Sequence, residues 1–73
     1  MNNSDLENLR EDLAGELQAI NQYQEHIDET DNEKIKKVLS HIRDDEKEHF
    51  AELTKLIQEL DEIQKEKFQK EGL

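Results

Sequence analysis

The chain has 73 residues, twenty acids against ten bases for a net charge of −10, no cysteine, no proline, and two glycines, Gly15 and Gly72. So short a chain buries little apolar surface alone, lacks disulfides to compensate, and has few turn formers from which to build strands. The acidic balance offers no basic patch to nucleic-acid phosphates and would be repelled by an anionic membrane, while it concentrates cations.

Leu, Ile, Val and Phe supply 18 of the 73 residues, and 41% of the chain is charged. Regular aliphatics among dense charge predict long amphipathic helices. The first twenty residues have no basic start and no continuous apolar stretch, and no segment approaches the length of a membrane span. A soluble, intracellular protein is the simplest expectation.

Ser4 followed by Glu7 forms a capping box, which predicts the start of a first helix. Its apolar residues fall at Leu6, Leu9, Leu13, Leu17, Ile20 and Ile27, in steps that one helical face requires. Residues 28–32 form a polar run suited to a turn, and Thr30 with Glu33 makes a second capping box. A second helix follows, with Ile35, Val38, Leu39, Ile42, Phe50, Leu53, Leu56, Ile57 and Leu60 on one side. Ile63 and Phe68 either extend it or belong to a short third helix. The link of about five residues implies antiparallel neighbours. The predicted fold is all-α: one hairpin domain over residues 1–73. Two helices leave part of their apolar stripe open, so two copies should pair into a four-helix bundle.

Polar residues interrupt that stripe at three places. Glu16 lies three residues after Leu13 and four before Ile20; Glu46 lies four after Ile42; His49 lies four before Leu53. A charge on a buried line is costly unless it is paired or bound. Glu46 and His49, related by i, i+3, emerge side by side and can both ligate one metal ion, with Glu16 joining from the first helix. One chain offers two carboxylates and one imidazole. A two-fold dimer offers four and two, the inventory of di-iron carboxylate bundles. Glu-x-x-His is a weak motif in so acidic a chain, and its placement on both seams gives it weight.

The segments GELQAINQY (15–23) and SHIRDDEKEH (40–49) resemble the encapsulated ferritins, half-length members of the ferritin-like superfamily. The resemblance runs from about residue 10 to about residue 60, and RDDEKEH is its most specific part. It implies two-helix protomers that dimerise around a di-iron ferroxidase centre and assemble into a ring, typically a decamer, housed inside an encapsulin shell in the cytoplasm. Carried over by position, Glu16, Glu46 and His49 match the catalytic metal ligands, two irons are held per dimer interface, and Fe(II) with O2 or peroxide are the reactants. Tyr23 matches a family tyrosine near the centre. Lying seven residues after Glu16, it either hydrogen-bonds a ligand carboxylate or packs with its hydroxyl at the rim.

Departures accompany the likeness. Gly15 and Gln18 stand where family members carry acids that help metal approach, and Gln22 replaces an aromatic residue. The chain ends at Gly72 and Leu73 without the shell-docking tail of free-standing cargo, which fits truncation, fusion to a shell protein, or a different mode of recruitment. Outside the core line, His41, Asp45 and Glu48 share an outer face, either as a solvated charged surface or as a secondary cation site. His26 reads as a surface residue.

Two rival functions remain open from the sequence. One is a structural or adaptor hairpin whose inward Glu and His fix its assembly. The other keeps the site as a di-iron peroxidase, or as a zinc or manganese structural centre, since this ligand set suits several first-row metals. No nucleophile triad is evident around the serines and threonines.

Overall fold

The structure, a computed structural model, describes residues 3–73. It contains α1 (Asn3–Glu29), α2 (Glu33–Leu60) and α3 (Glu62–Lys70). All are α-helices, and none is long and apolar enough to cross a membrane. The first two form the hairpin expected from the apolar periodicity. Arg10 meets Asp61, Glu16 meets His49 and Gln24 meets Arg43, so α2 runs antiparallel to α1.

The helix ends differ from the expected caps. Asn3 is already helical, so Ser4 sits inside the first turn of α1 rather than before it. The turn is tighter than five residues, because α1 continues to Glu29 and α2 begins at Glu33. Asn32, not Thr30, caps α2. Its extended backbone lets Oδ1 accept hydrogen bonds from the Lys34 and Ile35 amides at 3.0 and 3.1 Å. The Thr30 hydroxyl oxygen instead accepts from the Asn32 amide at 3.2 Å and tightens the turn itself.

Residues 62–70 form a separate helix, although neither glycine nor proline marks the break. Asp61 alone makes it. Its extended backbone (φ −123°, ψ 99°) closes α2 through a 2.9 Å bond from its amide to Ile57. Its Oδ1 then accepts from the Gln64 amide at 3.1 Å and caps α3. Beyond α3, Gly72 adopts φ 75°, and bonds from Gly72 to Gln69 and from Leu73 to Phe68 close the helix as a Schellman motif.

The molecule measures 46 × 27 × 14 Å. Its least dimension is little more than one helix diameter of about 10–12 Å, so the hairpin is a single layer with two faces. On one face α3 turns off α2 so that Phe68 lines a cleft of about 140 Å³ together with Leu13, Phe50 and Ile57. Ile57 is the one buried hydrophobic residue among the described residues. The other face is uncovered and includes Leu53 and the exposed Leu56. Exposed Leu17, Ile35 and Val38 complete the picture of a stripe that no second layer covers.

Candidate metal centre

The open face carries a groove of about 570 Å³ midway along the hairpin. Gly15 and Glu16 of α1 form one wall, and His49, Leu53 and Leu56 of α2 form the other. Helical spacing places Glu46 and His49 on adjacent turns of α2, and the antiparallel packing brings Glu16 opposite them.

Glu16, Glu46 and His49 present donor atoms that all lie within 4.8 Å of one another. His49 Nδ1 lies 3.4 Å from Glu46 Oε2 and 3.6 Å from Glu16 Oε2. The second distance exceeds hydrogen-bond reach. Glu16 Oε2 is shut off from solvent and has no hydrogen-bond partner among the described residues. A desolvated carboxylate oxygen left in that condition is costly, and a cation held jointly with Glu46 and His49 would relieve it.

The three residues were expected on a buried line, and they are covered unequally. The Glu16 and Glu46 side chains are 23% and 20% exposed, whereas that of His49 is 50% exposed. The inequality follows from the single layer: the carboxylates lie toward the seam between α1 and α2, and His49 stands at its open edge. Glu11, Asp12 and Glu52 also line the groove, acids that the periodicity argument passed over because they lie off the apolar stripe. Asp12 lies one turn before Glu16 and Glu52 one turn after His49, but such spacing is commonplace in so acidic a chain and did not single them out. Gly15 leaves this wall open, since a Cβ there would meet nothing within 4 Å.

The remaining sequence-derived candidates stand apart. Tyr23 is half-buried and makes no hydrogen bond to Glu16 or Glu46 within the described chain. His41 Nε2 and Asp45 Oδ2 pair at 3.5 Å on the outer face, both well exposed, and Glu48 does not join them in a three-donor group. His26 is exposed, in the last turn of α1, where a basic side chain suits the helix dipole.

The family model described as EncFtn-like matches residues 1–71. Over 53 residues the chain is 49% identical to the encapsulin nanocompartment cargo protein EncC of Myxococcus xanthus (strain DK1622), a match covering 73% of this chain and 41% of that protein. Over 66 residues it is 32% identical to the cargo protein EncB of the same organism, covering 90% of this chain and 42% of that protein. The chain therefore spans about two fifths of the length of these curated relatives. No solved structure gives a significant match.

Proposed function

This chain belongs to the EncFtn-like family, and from that premise we propose that it is a ferroxidase whose centre is completed by a second copy, serving iron storage or detoxification inside an encapsulin compartment. The observation that carries the reading is the convergence of Glu16, Glu46 and His49 around an unpartnered, desolvated carboxylate oxygen. The donor chemistry fits iron: two hard carboxylates and one imidazole suit Fe(II), and the carboxylates favour Fe(III) once it forms.

Charge and openness argue for sharing the site. One chain supplies two carboxylates, and its imidazole stands at the uncovered edge of the groove. Two copies facing each other across this side supply four carboxylates, whose charge matches two Fe(II) ions. They also cover Leu53 and Leu56, which lie beside His49 on the same groove. Apolar closure then shields the donors from water and strengthens their hold on the cation.

In the reaction, Fe(II) is the substrate. Glu16 and Glu46 bind and orient it, neutralising its charge, and neutral His49 supplies the nitrogen donor. Two Fe(II) ions give up two electrons, which with two protons reduce O2 to H2O2, or reduce H2O2 to two waters. Glu11, Asp12 and Glu52 bring negative charge to the groove and raise the local cation concentration. They supply acidity near the places where Gly15 and Gln18 depart from the family's acids. The names of the cargo relatives support an encapsulin shell as the surrounding compartment. A layer one helix thick has no interior in which to hold a mineral, so storage falls to that compartment.

The test is Fe(II) oxidation by the parent chain and by Glu46→Ala and His49→Ala, followed by ferric absorbance. The reading requires both variants to fall to the buffer rate while remaining helical. Unchanged rates would leave a structural hairpin as the better account.

A further inference from the structure

The junction between α2 and α3 consists of one non-helical residue, Asp61. No glycine or proline enforces the bend, and the flanking residues are ordinary helix formers. Two side-chain contacts hold the bent form. Asp61 Oδ1 caps α3, and Asp61 Oδ2 receives Arg10 Nη2 of α1 at 2.7 Å. Phe68 then seats α3 beside Leu13, Phe50 and Ile57, with a cleft of about 140 Å³ left unfilled.

The bent form leaves Ile63 67% exposed. In a straight continuation of α2, Ile63 lies seven residues beyond Leu56, as Leu56 lies seven beyond His49. Two helical turns at about 100° per residue return a side chain to nearly the same face. Straightening therefore adds Ile63 to the open side that carries His49 and Leu56, while it gives up the Arg10 contact and the seat of Phe68. The bent form shelters Phe68 and leaves Ile63 exposed, whereas a straight form would release Phe68 and align Ile63 with Leu56.

We propose that α3 is a strap on a one-residue hinge at Asp61, latched to α1 by Arg10, that swings into line with α2 and lengthens the open apolar face for a second copy of this chain. The occupant of that face rests on the pairing proposed above. The hinge and its latch do not, and are read without metal or partner.

The absence of cysteine allows clean spin-labelling of Asn21→Cys and Gln69→Cys in the otherwise intact chain. In the strapped form residue 69 follows Phe68, which lines the same cleft as Phe50. In a continuous helix it would lie roughly 28 Å along the axis from Phe50, at about 1.5 Å per residue. Pulsed electron spin resonance on dilute, metal-free protein should give one short distance for the parent. Arg10→Ala should transfer a tenth or more of the molecules to a long distance, and Arg10→Lys should restore the short one. Ile63→Glu, exposed in the strapped form, should leave that short distance intact and weaken self-association at least tenfold. An unchanged distance distribution in Arg10→Ala overturns the latch. Undiminished self-association in Ile63→Glu overturns the extended face, whatever the iron chemistry of the parent.

Discussion

Glu16 Oε2 lies 3.6 Å from His49 Nδ1 across the hairpin, close enough for one cation to reach both atoms and too far to accept a hydrogen bond from the ring. The oxygen is desolvated and otherwise unpartnered. This arrangement carries an electrostatic cost that a bound cation would remove.

Glu16→Gln keeps the shape and removes the charge. In chelator, its stability should match or exceed the parent's by about 1 kcal/mol, because a desolvated carboxylate is relieved. Urea melts measure this directly. The same variant should lose most of the stabilisation that Fe(II) confers anaerobically. A clear loss of stability in chelator would mean that Glu16 already has a satisfying partner.

Metal should stabilise the fold by mass action. At a free metal concentration of about 100 times Kd, the gain is about 2.7 kcal/mol for a ligand that binds only the folded state. For a centre shared between copies, the melting temperature in metal should also rise with protein concentration. A metal-induced rise that ignores protein concentration would place the whole centre within one chain.

The turn offers a sharper local test. Asn32→Ala removes two amide contacts and should cost about 1 kcal/mol. Thr30→Ala removes a single contact inside the turn and should cost only a few tenths of that. Equal losses in thermal melts would restore Thr30 as the effective cap.

The difference between Thr30 and Asn32 shows where sequence reading succeeds and stops. The apolar spacing from Leu6 to Ile27 and from Ile35 to Leu60 was enough to place two antiparallel helices, because periodicity reports a whole face and tolerates local error. A cap depends on one residue's backbone angles, and both Thr30 and Asn32 carry suitable oxygens. The break at Asp61 was hidden for the same reason: its cause is a side chain capping its own chain and held by Arg10, fifty-one residues away. At the site, the i, i+3 spacing of Glu46 and His49 and the inward position of Glu16 were legible. The exposure of His49 and the acids at Glu11, Asp12 and Glu52 were not, since they follow from how two helices stack into one layer.

Acid should act on α2 through Asp44. Arg43 Nε donates to Asp44 Oδ1 at 3.1 Å, and Lys47 Nζ stands 3.5 Å away. The hydrogen bond from Arg43 holds the Asp44 carboxyl below its ordinary value of 3.8. Because the folded value is the lower one, this contribution is complete above the unfolded value and is lost as pH falls through the folded value. Arg43→Gln should raise the Asp44 midpoint toward 3.8, read from its side-chain carboxyl carbon by nuclear magnetic resonance. A midpoint unmoved by the substitution would show that Arg43 does not set it.

Aerobic titration of the metal-free protein with Fe(II), following ferric absorbance and iron bound per chain, tests the central claim most directly. The shared ferroxidase centre predicts rapid oxidation that breaks near one iron per chain, two for each pair of copies. Oxidation that never saturates and stays at the buffer rate would contradict it.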